Sequence, residues 1–148
     1  MSRAAEKSVS VRTSSTKTSL PRTIGRIALG AFLLFAGISH LTWSRAEFLA
    51  QVPSWVPLDR DAVVLLSGVT EVGLGGALVA LPGRRITVGW LVAVFFVAVF
   101  PGNIAQFVTR TDAFGLDSDR ARGIRLLFQP LLVVWALWSA GVLHRGRR

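Results

Sequence analysis

The chain has 148 residues, of which 51% are hydrophobic, with a mean hydropathy of +0.52 and a formal net charge of +9. Its basic residues lie in tails and turns between apolar blocks, a pattern of membrane topology and not of a nucleic-acid-binding face. It has no cysteine, no tyrosine and only two histidines, His40 and His144, in different segments. Disulfides, thiol redox chemistry, iron–sulfur clusters, Cys-ligated zinc and His-rich metal sites are thereby excluded.

Residues 1–23 are basic, rich in Ser and Thr and without hydrophobic periodicity, which predicts a disordered tail. A first apolar segment follows over 24–43, with Arg26 near its start, where a long side chain can snorkel to the headgroups. The competing interpretation of this segment is a signal peptide, but the basic lead is long and no A-x-A cleavage site follows. Residues 44–61 form a loop in which Pro53 and Pro57 bracket Trp55, suited to the bilayer interface. Further apolar segments cover 62–81, 86–108 and 124–143. They are separated by the turn Pro82-Gly83-Arg84-Arg85 and a polar loop over 109–123, and a basic tail occupies 144–148. Each block is about 20 residues long, the length that crosses a bilayer core of about 30 Å. Four such blocks cannot all be buried in a soluble protein of this size. The expected fold is therefore all-α, an integral membrane four-helix transmembrane bundle.

Lys and Arg set the orientation. Ten lie in the N-terminal tail, the 84–85 turn and the C-terminal tail, against five in the 44–61 and 109–123 loops. Both termini are expected in the cytoplasm. Small residues in the second segment, at spacings 73/77 and 76/80, are expected to bring helix backbones together. The five tryptophans, Trp135 and Trp138 among them, suit interface anchors.

Ionisable and amide residues inside spans are costly and are therefore candidates for function. Glu71 falls about 14 Å into its helix, near mid-membrane. On each helix, residues three or four apart share a face, so Ser67 lines up with Glu71, Asn103 with Gln106, and Arg125 with Gln129. With His40 near the end of the first segment, these residues would line one polar cavity open to the outer surface. Glu71 would form its floor, and Pro101-Gly102 and Pro130 would loosen helices at the same depth. The alternative for each is structural: interhelical hydrogen bonds for Glu71, Asn103 and Gln129, solvation for His40, headgroup anchoring for Arg125.

The chain resembles the DoxX family of small four-helix bacterial membrane proteins. The matching residues are Gly37-Ile38-Ser39-His40, Val52-Pro53-Ser54-Trp55-Val56-Pro57, Ser67-Gly68-Val69-Thr70-Glu71 with Gly75-Gly76, Pro82-Gly83-Arg84-Arg85, Phe100-Pro101-Gly102-Asn103-Ile104 and Leu126-Leu127-Phe128-Gln129. They fall in order across residues 24–143. The resemblance implies a bacterial inner membrane and a link to thiosulfate:quinone oxidoreduction, to oxidative or quinone stress, and to complexes with soluble redox enzymes. The absence of cysteine argues against a thiol-based version of these roles.

Three functions fit the residues. One is a binding or accessory subunit that holds a quinone, lipid or other small amphiphile. Another is a quinone-linked enzyme subunit using Glu71 as a buried acid/base. The third is a structural assembly subunit. A proton-coupled transporter has less to support it. No nucleophile with a neighbouring base stands out, and no cofactor is evident from the residues, quinone entering as a possible one. The expected partners are membrane lipids, a soluble redox enzyme or further copies of the chain.

Overall fold

The computed structural model describes residues 18–144. Most of the N-terminal tail and the Arg145–Arg148 tail lie outside the described residues. The described residues form five helices, α1 (Leu20–Leu41), α2 (Arg45–Leu49), α3 (Arg60–Ala80), α4 (Arg85–Thr109) and α5 (Asp119–Ala140), with single 3-10 turns at Pro82–Arg84 and Val142–His144. The chain is an all-α four-helix bundle, and α1, α3, α4 and α5 are each long and apolar enough to cross a membrane.

The ends of the helices follow from local chemistry. Pro21 occupies the first turn of α1, where its missing N–H is not needed, so the helix starts at Leu20 instead of 24. The Asp59 carboxylate accepts from Ala62 N at 3.0 Å and caps α3. The Ser118 hydroxyl accepts from Ala121 N at 3.2 Å, which starts α5 at Asp119, five residues before the expected 124. Gly141, at φ 84°, ends α5 in the left-handed region that glycine adopts without strain.

The apolar side chains of the spans point mostly outward. Only 28% of the apolar window of α3, and 22% of those of α4 and α5, is buried, so most of this surface faces lipid and not a core. Leu66, Val94, Val97, Leu127 and Leu131 stand out fully on that surface.

Inside, the bundle is uneven along its axis. Leu29, Leu33, Leu78, Val88, Val92, Phe96 and Ala136 form a close-packed core near the end carrying the Pro82–Arg84 turn. The opposite end, with the 42–59 and 110–118 connections, is hollow. The tight packing is pairwise, α1 against α3 and α4 against α5, while the seam between α3 and α4 is loose.

Glycine permits both tight seams. A Cβ on Gly75 would lie 2.7 Å from Gly30 O and 2.9 Å from Leu34 N, and one on Gly37 would lie 2.7 Å from Gly68 O. The contact pairs are thus Gly30/Gly37 on α1 with Gly68/Gly75 on α3, seven residues apart on each helix. This corrects the expected 73/77 and 76/80 pairs: Gly73 and Gly76 face open space. Across the other seam, Gly89 of α4 fits against Ala140 and Ala136 O of α5.

Two further expectations change. Arg26 does not snorkel outward: it is buried and donates to Leu78 O, at the carbonyl-rich C-terminal end of α3 that favours a cation. Trp135 is no simple interface anchor, since its indole N–H donates to Gly25 O at 3.1 Å and ties α5 to α1.

Candidate functional site

The hollow end encloses a cavity of about 550 Å³, to which all four long helices and the 42–59 connection contribute. Its walls are apolar, with Phe32, Phe95, Val99 and Leu132 among them. Six of the seven residues singled out from the sequence line it: His40, Ser67, Glu71, Asn103, Arg125 and Gln129. Gln106 does not line it. It is almost fully buried beside the cavity, where its Oε1 accepts from Gln51 Nε2 at 2.7 Å and its Nε2 donates to Thr111 O at 3.3 Å.

Glu71 and His40 meet across the α1–α3 seam. The approach is possible because Gly68, one turn before Glu71, leaves room for the His40 Cβ. His40 Nδ1 lies 2.8 Å from Glu71 Oε2 and 2.9 Å from Ala36 O. One ring nitrogen has at most one proton to give, so these two acceptors compete for it. Glu71 Oε2 is buried and has no well-aligned hydrogen bond of its own, although the ion-pair contact is short. The contact is close but poorly aligned, so hydrogen-bonding capacity of the carboxyl group is left over.

On the opposite wall, Asn103 Nδ2 donates to Gln129 Oε1 at 2.9 Å, and Gln129 Nε2 donates to Phe96 O at 2.6 Å. Pro101, which has no N–H, leaves unpartnered in the helix ladder the carbonyl of Val97, the residue next to Phe96. A proline inside a helix removes one ladder hydrogen bond and crowds the preceding turn, which opens it to side-chain donors.

The connection over 42–59 folds across the loop end as a cap. Phe48 of α2 stacks on His40 with ring centroids 3.2 Å apart, and its edge meets Phe114 of the other connection at 4.6 Å. Glu47 accepts from Phe114 N at 2.5 Å. Arg45 pairs with Asp61, its Nε 2.6 Å from Oδ1, which fastens α2 to the start of α3. That hydrogen bond raises the Arg45 guanidinium above its ordinary range. Gly102 lets the cap descend onto α4, since any Cβ there would stand 3.2 Å from Gln51 O. On the far side, Arg122 is buried and holds the 110–118 connection by donating to Asp112 at 2.7 Å, Asp119 at 2.8 Å and Leu116 O at 2.9 Å.

Arg125 does not reach Glu71. Its Nη2 donates to Gln51 Oε1 at 3.2 Å and its guanidinium lies 4.9 Å above the Phe114 ring. The early start of α5 places it about 9 Å into that helix, deeper than the sequence implied.

The cap closes much of the end where an opening to the outer surface was expected. Exposed lining residues occur at the cap, Trp55 and Leu58, and along the spans, with Leu66 and Thr70 on α3 and Ala98 on α4 bordering the loose α3–α4 seam. The cavity wall is thus exposed between α3 and α4 as well as at the cap, and the surface flanking the α3–α4 seam is apolar. Gln51, Phe48 and Phe114 are the site residues that sequence reasoning missed.

No metal-binding group of His, Asp and Glu occurs among the described residues. The model of a family described as a domain of unknown function (DUF8561) matches residues 29–140, a stretch containing every residue of the cavity wall. No curated protein and no solved structure matches the chain.

Proposed function

We propose that this chain, which belongs to the DUF8561 family, binds a small amphiphile such as a quinone or a lipid, as an accessory subunit of a membrane redox or stress-response system. One observation carries this conclusion: an apolar-walled cavity, exposed between α3 and α4, holds buried polar groups at one end, the Glu71 carboxylate among them. A pocket that is mostly apolar with a few converging polar groups is the usual form of a small-molecule site. The polar head would sit beside Arg125, Asn103 and His40, and the tail would leave between α3 and α4 into the bilayer. A quinone fits this donor set through its carbonyl oxygens, and when bound it would supply two-electron redox chemistry. The likeness to the DoxX family, whose matching residues include His40, Glu71, Asn103 and Gln129, supports the redox setting and a bacterial inner membrane. A soluble redox enzyme or a second copy of the chain would be the partner.

The test is native mass spectrometry of protein purified in mild detergent, with extraction of quinones and lipids. Wild type is expected to retain a defined small molecule that Glu71→Gln and Arg125→Ala both lose. Bulk lipid alone in all three proteins would sink the proposal.

The short His40–Glu71 contact on the cavity wall favours a second reading, in which Glu71 exchanges a proton with bound substrate. Turnover of a quinone substrate would then vanish in Glu71→Gln, whereas a binder has no turnover to lose.

Orientation follows the basic residues, with both termini cytoplasmic. Because the chain has no cysteine, single cysteines report cleanly. Asp117→Cys is expected to react with an impermeant maleimide added outside intact cells, and Gly83→Cys only after lysis. The reverse pattern would invert the topology.

A further inference from the structure

At the loop end, several basic residues are matched with acids. Arg45 faces Asp61, Arg110 faces Asp119, and Arg122 faces Asp112 and Asp119. Arg60 and Arg120 have no acid within ion-pair range among the described residues, but both are exposed to their surroundings; Arg125 is not. It is half-buried and lines the cavity, yet among the described residues no carboxylate lies within ion-pair range of it. Its contacts are a neutral amide oxygen and the face of a phenyl ring. Both hold a guanidinium in place without neutralising it. A cation at this depth is costly unless something offsets its charge.

Glu71 is not that partner. It lies eleven residues into α3, where Arg125 lies six into α5, so the two differ in depth by about 7 Å, and Glu71 contacts His40. Arg125 therefore presents an uncompensated guanidinium to the cavity at its loop end, with apolar wall below. A planar fork of N–H donors matches a carboxylate or phosphate better than any neutral head.

Building on the amphiphile-binding function proposed above, we infer that the ligand has an acidic oxygen head, a carboxylate or a phosphate, which Arg125 binds at the loop end while its chain runs along Phe32, Phe95 and Leu132 towards the α3–α4 seam. Gln51 and Phe114 are positioning residues: they hold the guanidinium against the cap and leave its remaining N–H groups to the head.

The experiment matches tails and varies heads. Trp55 lines the cavity, so binding is followed by quenching of tryptophan fluorescence with chains brominated near the middle, in detergent-solubilised full-length protein. The probes are brominated hexadecanoate, hexadecyl phosphate and hexadecanol, with decyl-benzoquinone and tail-free inorganic phosphate as competitors. Hexadecanoate or hexadecyl phosphate is expected to bind at least about tenfold more tightly than the alcohol. Arg125→Gln is expected to erase that preference while leaving alcohol affinity within about twofold. The preferred acid distinguishes a fatty-acid from a phospholipid-like source, and displacement by inorganic phosphate alone would overturn the requirement for a chain. Equal affinity of alcohol and acids in wild type would overturn the acidic head and leave amphiphile binding standing, as would displacement by the quinone with no acid preference. Failure of every chain to bind would overturn both. Far-UV circular dichroism of Arg125→Gln confirms that a lost preference comes from a folded protein.

Discussion

Replacing His40 by alanine is expected to be the most damaging single substitution in the hollow half, at about 3–5 kcal/mol. His40 is buried and its ring sits 2.8 Å from Glu71 Oε2, a buried acceptor that has no well-aligned hydrogen bond. Without the imidazole, the carboxyl group is left at membrane depth with one close polar neighbour fewer, a larger penalty than the modest contribution the pair makes when intact. The same truncation removes the ring on which Phe48 stacks, so the cap loses its footing on α1. The measurement is an equilibrium unfolding series in mixed detergent, followed by circular dichroism. Adding Glu71→Gln to His40→Ala is expected to recover much of the loss, because an amide costs less than a carboxyl group to leave without its partner at that depth. A double variant as unstable as the single one would show that the cost comes from the lost ring and not from the stranded acid.

A valine at Gly75 is expected to cost about 3 kcal/mol, whereas a valine at Gly73 is expected to be nearly neutral. The two glycines are two residues apart on α3 and share the same intrinsic helix penalty. They differ only in surroundings. The first meets Gly30 O and Leu34 N at distances no Cβ tolerates, and both are backbone atoms that cannot rotate away. The second meets nothing within 4 Å. In lipid there is no general hydrophobic force pressing helices together, so close van der Waals contact and interhelical hydrogen bonds must hold this seam. Thermal melting in detergent, run side by side, decides the matter. Equal melting temperatures for the two variants would mean that the α1–α3 seam contributes little.

Much of this was legible in the sequence, for identifiable reasons. Span length and polarity are properties of one segment at a time, and they locate four helices to within a few residues. The polar residues at helical spacing were also legible as a set, because a carboxylate such as Glu71 inside a span restricts where its neighbours must face. The pairing of residues from distant segments was less so. Gln51 stands in a loop with no periodicity, and its partners are 55 and 74 residues away. Phe48 and Phe114 gain meaning only when two connections fold over one helix end. Gln106 shares a helical stripe with Asn103 but turns under the cap to Gln51 instead of into the cavity. The glycines mislead for a related reason. A spacing of four is the familiar sign of close helices, but the observed seam repeats every seven on both partners. That is the spacing of a shallow left-handed crossing, and it singles out 30/37 and 68/75 from a sequence full of glycine. Arg26 and Trp135 were assigned to the interface because nothing local reveals that a carbonyl of another helix waits beside them.

The pairwise packing has a consequence for how the chain is made. α1 and α3 are neighbours in order as well as in space, and so are α4 and α5. Each pair has its own close seam, so it can enter the bilayer as a hairpin and zip shut as it emerges, before the other exists. Only the later docking of one hairpin on the other creates the chamber, whose walls come from both. A gene split within the Pro82–Arg84 turn should therefore yield two fragments that reassemble on co-expression, each stable alone but neither able to hold a ligand.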